Sequence, residues 1–366
     1  MLFLVAASHP TAKFSLPYNL HLLDLIITCA AFLLYYTVLA HHGKEIDPSL
    51  HVAAHPSNSK RNELEVPHAA ESDAEAYRDT IDNRYITDPD DLPEIYIDED
   101  EDEDEDEVGW LAEKNRLFWA ASTTREKFYF TLGALTLYFA NSWPLADLAD
   151  KYSILAHLMQ HLYIALIAVP LMLLGTPRWV FGRLTKPRFL DWTLSKLTRS
   201  FVATVIFAFT MVSTMLPPVV SAEASFWLTH DLIHLWIGLA AAIMWIPALK
   251  LLPGTRQLTT AGRIAYLFTQ SLLPNVPAIV LVFSKHSFYP MYAKTAAALG
   301  ISAVADQQLA GAVGKIFSLL VFWGAAIGIL LRANRDEELG VDPDLITWDD
   351  VEREFERTSK KVTPEN

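Results

Sequence analysis

Apolar residues in this chain come in long, nearly uncharged blocks rather than in the one-sided stripes of a helix at a water-facing surface. Seven such stretches fall at roughly 18–40, 128–147, 153–175, 200–219, 226–249, 264–284 and 308–331. A run of about 20 residues crosses ~30 Å of hydrocarbon at the helical rise. The pattern therefore predicts an all-α polytopic membrane protein, a bundle of seven transmembrane helices. Gly175 followed by Pro177 marks a helix end. Pro170, Pro247, Pro274 and Pro277 lie inside predicted spans and remove backbone donors, so kinks are expected there. The opening "MLFLVAASHP" lacks a basic stretch and its apolar run is short for a secretory signal, so the chain is expected to begin near Met1.

Between the first two blocks the pattern changes. Residues 41–126 contain "DEDEDEDEDE" at 98–107, and 41–113 hold 24 of the 43 acidic residues against 5 of the 29 basic ones. The overall charge of −14 comes from this insert, and the rest of the chain is slightly basic. Such charge density with few apolar residues does not bury enough surface to offset ordering entropy, which predicts a largely disordered acidic loop. The organisation expected is a first segment with one span (1–40), the acidic loop (41–126), a six-helix membrane core (127–332) and a charged tail (333–366) with a short surface helix near 346–357.

Loop charges predict the orientation. The 176–199 loop carries Arg178, Arg183, Lys186, Arg188, Lys196 and Arg199, and the 250–263 loop carries Lys250, Arg256 and Arg263. Lys114, Arg116, Arg125 and Lys127 precede the second block, and Arg332 and Arg335 begin the tail. The remaining loops are nearly bare of basic residues. The positive-inside rule places the N-terminus outside and the C-terminus, acidic loop and tail in the cytoplasm, with the plasma membrane as the expected location.

Polar residues inside the blocks carry the candidate chemistry. "AHLMQHLY" places His157 and His161 four apart, and "THDLIHLW" does the same with His230 and His234. Residues at i and i+4 share a helix face, so each pair could present two imidazoles to one ion, and ionisable groups inside a membrane are functional by default. Both pairs fall at similar depth near the predicted outer face. Asp306, at the start of the last block, falls in the same layer and could ligate or orient an imidazole. Met215 could offer a thioether, Met159 reads as packing, and Asp231 points to another face. Lys315 reads as a snorkelling or ion-paired side chain.

The only cysteine, Cys29, excludes an intrachain disulfide and a cysteine metal cage. The zinc-protease pattern HExxH is absent from "HLMQH" and only mimicked in "HDLIH". Four-residue spacing is too short for haems stacked in two layers. Imidazole suits copper, zinc, iron and nickel alike, so ligand type leaves the ion open. A di-iron hydroxylase or desaturase would need about eight histidines, and a copper transporter would need a line of Met, His or Cys reaching the inner face.

Three stretches narrow the choice. "LGALTLYFANSWPLADLADKYSILAHLMQHLYIALIAVPLMLLGTP", "HDLIHLWIGLAAAIMWIPAL" and "FYPMYAK" followed by "ADQQLAGAVGKI" resemble the seven-helix CtaG family of cytochrome c oxidase assembly factors, over roughly 128–332. The resemblance implies a non-enzymatic membrane protein that matures haem–copper terminal oxidases and helps supply them with a copper ion. It maps the family's membrane histidines onto His157, His161, His230 and His234, and its acid onto Asp306. Expected partners are a haem–copper oxidase subunit, a copper donor protein and the lipid bilayer, with no nucleic acid. The acidic insert looks longer than the family's usual first loop, and Lys315 stands where an apolar residue is expected.

Overall fold

The computed structural model describes residues 22–45, 122–252, 257–273 and 276–340, together with Leu16, Asp342 and Asp344. The acidic run at 98–107 and the helix expected near 346–357 lie outside the described residues. Residues 1–37 and 122–366 group into one compact unit and 38–121 into a second, of which only the end of the first helix is described.

The described residues are helical and contain no strand, as the block pattern predicts. In chain order the helices are α1 (Leu22–Glu45), α2 (Thr124–Ala140), α3 (Leu145–Lys151), α4 (Ile154–Leu174), α5 (Arg178–Leu184), α6 (Arg188–Leu197) and α7 (Ser200–Ser213). They continue as α8 (Pro217–Ser225), α9 (Trp227–Leu249), α10 (Thr260–Leu272), α11 (Val276–Phe283) and α12 (Ala303–Glu338).

Four of these are long and apolar enough to cross a membrane: α4, α9, the α10–α11 stretch Thr260–Phe283, and α12. A fifth is counted if α6 and α7, bent by 75° at their junction, form one broken span. On this measure four or five of the seven expected spans are supported among the described residues. The apolar part of α1 runs from Leu25 to His41, and α2 has 17 residues, so at ~1.5 Å per residue each falls short of ~30 Å. The second predicted block fails as one helix because α2 stops at Asn141 and the chain turns through Trp143–Pro144 before α3. A residue before proline avoids the helical region. The apolar side chains that ring the outside, Phe201 at 79 % and Phe283 at 78 % exposure among them, fit a membrane protein.

Helix α4 is the centre of the assembly, packed on α2, α9 and α12. Hydrocarbon gives helices little hydrophobic reason to associate, so close van der Waals approach by small residues does the packing. A Cβ on Gly311 of α12 would come within 2.6 Å of the Ala278 carbonyl oxygen in α11, and one on Gly314 within 2.6 Å of Leu158 in α4. Those two glycines are what let α12 lie against both neighbours.

Pro170 does not break α4. Residues Ile164–Ala168 widen into one π-helical stretch in which the Val169 amide bonds the Ile164 carbonyl, five residues back. The next donor in that register is missing because it is Pro170, and its acceptor would be the Ala165 carbonyl. Trp245 of α9 supplies the bond instead, with Nε1 3.0 Å from that oxygen. The kink expected from the sequence is thus absorbed by a local widening with an indole as substitute donor.

Candidate metal centre

His157 and His161 are the fourth and eighth residues of α4, and His230 and His234 are the fourth and eighth of α9. Equal offsets from two helix starts put both pairs in one layer. Both residues of the α4 pair are fully buried, His234 is 8 % exposed, and the His230 side chain is 12 % exposed. His230 is therefore the most accessible of the four.

The group that gathers them is Glu223, 2 % exposed on α8. Its Oε1 lies 2.8 Å from Nε2 of His161 and 3.1 Å from Nε2 of His234, and its Oε2 lies 3.7 Å from Nε2 of His157. Helix α8 begins with Pro217 and Pro218, whose fixed φ suits a first turn, and packs against α3 and α9. The sequence reading passed over this residue because it falls between two predicted spans. A signal was present: Glu223 is the only acid between Asp191 and Asp231, set in the small and apolar run "PPVVSAEASFW".

Neighbouring groups orient the rings. Asn141 caps α2 and donates from Nδ2 to the Leu137 carbonyl at 2.9 Å, which turns its Oδ1 toward Nδ1 of His234 at 2.5 Å. That oxygen only accepts, so the proton of His234 sits on Nδ1 and the Nε2 lone pair faces Glu223. Asp150 of α3 approaches Nδ1 of His230 at 3.3 Å.

This arrangement lacks positive charge. A lone pair on His234 opposite a carboxylate oxygen at 3.1 Å is repulsive unless a proton or a metal cation lies there. Among the described residues the ion-pair partners of Glu223 are histidines, with no lysine or arginine. Both ring nitrogens of His157, Nδ1 of His161, Nε2 of His234 and Oε2 of Glu223 are buried without a hydrogen-bond partner. Buried polar atoms left unsatisfied cost about 1–3 kcal/mol each, more when charged. Imidazole lone pairs around a carboxylate are a fitting donor set for copper, zinc or iron. The donors fall into two sets of three, His157, His161 and Glu223 in one and Glu223, His230 and His234 in the other, each with its ligand atoms within 4.8 Å of one another.

Other residues singled out from the sequence sit elsewhere. Asp306, fully buried, belongs to neither set: its Oδ1 accepts from Ser153 Oγ at 2.6 Å and its Oδ2 from the Ile154 amide at 2.7 Å, so it fastens α12 to the first turn of α4. Gln307 and Gln308 hold the preceding loop through Phe288, His286 and Ser284. Met215 lines an apolar cavity with Leu158, Leu162, Met211 and Phe322, and its carbonyl accepts from Tyr289. Asp231 is partly exposed outside both donor sets, and Met159 packs on the core. Lys315 donates to the Ser271 carbonyl at 2.6 Å, tying α12 to α10.

Comparison with known proteins adds one finding. The family described as cytochrome c oxidase caa3 assembly factor matches residues 109–336. No curated protein and no solved structure matches the chain. The family match spans more than half of the sequence and covers both histidine pairs, Glu223 and Asp306, and the chain belongs to this family.

Proposed function

We propose that this member of the caa3 assembly factor family binds copper at the histidine–glutamate cluster and hands it to a haem–copper terminal oxidase during assembly, catalysing no reaction itself. The observation that carries the reading is the set of buried imidazole nitrogens around Glu223 that have no hydrogen-bond partner. A membrane protein keeps such a cluster against a desolvation cost, and a cation removes that cost. The partial exposure of His230 supports entry of the ion along α9 from the loop side, where a donor protein would deliver it.

In this reading the chain lies in the plasma membrane, and α1, α2 and the α6–α7 pair complete seven crossings by local thinning of the bilayer. The N-terminus is outside, the basic 176–199 and 250–263 loops are cytoplasmic, and the metal cluster faces the outer leaflet.

The test is oxidase maturation in cells carrying the chain with His157, His161, His230 and His234 all changed to Ala. Oxidase activity and the copper content of the isolated oxidase should fall to the level of cells lacking the chain, while the variant remains in the membrane fraction. Normal oxidase activity with the quadruple variant would sink the proposal.

A further inference from the structure

We infer that the cluster holds two cations rather than one, each gripped by one imidazole pair, with the carboxylate of Glu223 shared between them. The inference deepens the metal-binding reading above and depends on it. Copper, zinc and iron bind nitrogen and oxygen donors at about 2.0–2.2 Å, so two donors on the same ion lie no more than roughly 4.4 Å apart. In each set of three the ligand atoms lie within 4.8 Å of one another, compatible with that spacing, and the donors do not merge into one set of five. Glu223 is the one member common to both. Its Oε1 already stands near a nitrogen of each helix, 2.8 Å from His161 and 3.1 Å from His234.

Orienting contacts repeat the division. The α9 pair has its own polar supports, Asn141 behind His234 and Asp150 beside His230. The α4 pair is fully buried, and its free nitrogens on His157 and His161 have no protein partner. One half is thus partly accessible and supported from outside, and the other is sealed.

Charge selects the oxidation state. Two monovalent ions with Glu223 leave one positive charge, which Asp150 at the accessible half offsets. Two divalent ions would leave two or more uncompensated charges in a buried site, which desolvation strongly disfavours. The fitting cargo is therefore copper(I), a pair of ions per chain.

The experiment loads the purified full-length protein in detergent with copper(I) under anaerobic, reducing conditions, removes free metal, and measures copper per chain. The wild type should hold two. The His157→Ala/His161→Ala variant and the His230→Ala/His234→Ala variant should each hold one, which also shows that each remains folded. Glu223→Gln, which removes the shared charge, should weaken the second ion at least tenfold. One copper in the wild type, lost in both double variants, overturns the two-ion inference and leaves the metal-binding reading standing. Two coppers retained in either double variant overturn it as well, because the ions would then lie elsewhere. No copper in the wild type overturns both readings.

Discussion

Oδ1 of Asn141 and Nδ1 of His234 are 2.5 Å apart, and this contact between the end of α2 and the second turn of α9 decides which nitrogen of His234 can meet a metal. Asn141→Leu removes the acceptor and frees the ring to turn or change tautomer. Copper affinity, measured by competition with a chelator, should fall about 10–100-fold, the usual effect of losing a partner that orients a ligand. Asn141→Asp keeps an acceptor oxygen at that place and should restore most of the affinity. Equal affinity in wild type and Asn141→Leu would remove Asn141 from any positioning role.

Asp306 separates a fastening role from a ligating one. Changing it to Ala orphans Ser153 Oγ and the Ile154 amide, at about 1–3 kcal/mol for each buried donor. The thermal midpoint of the detergent-solubilised protein should drop, with copper per folded chain unchanged. Loss of copper at an unchanged midpoint would instead make Asp306 a ligand.

Packing predicts an asymmetry among the glycines of α12. Gly311→Leu would press on the Ala278 carbonyl, whereas a side chain on Gly324 meets nothing within 4 Å. The first variant should fail to accumulate in membranes or melt well below wild type, and Gly324→Leu should behave as wild type. Two variants with the same accumulation and midpoint would mean that α12 does not pack on α11 through Gly311.

Orientation is open to direct labelling. Cys29 is exposed, so the background for this test is Cys29→Ser. In intact cells a cysteine at Ser221, exposed on α8, should react with an impermeant thiol reagent, and one at Ser59 in the acidic loop should not. The reverse pattern would place the histidine cluster at the cytoplasmic face.

Trp245 supplies a test of the π-helical stretch in α4. Trp245→Phe keeps an aromatic ring but leaves the Ala165 carbonyl unpaired, and should cost about 1–3 kcal/mol, read as a lower thermal midpoint. No change would mean that the widened stretch satisfies that carbonyl by other means.

How much of this was legible in the sequence follows from the range over which each feature is determined. Block hydropathy and proline and glycine positions act within one helix, so the all-helical class and the spans α4, α9, the α10–α11 stretch and α12 could be read directly. The four histidines were legible for the same reason, since i and i+4 spacing is a local property. Span number was less so, because α2 stops at Asn141 and α7, which starts at the predicted boundary, has 14 residues, each shorter than the hydrocarbon core asks for. Glu223 was not, because its meaning rests on His161, 62 residues away, and on three helices converging. Asp306 shows the same limit from the other side: its depth suggested a ligand, and the partner it meets is the first turn of α4, 152 residues earlier in the chain. Local sequence determines which groups enter the membrane; the packing of α4, α8, α9 and α12 determines which of them face one another, because a buried polar group is defined by the partner that satisfies it.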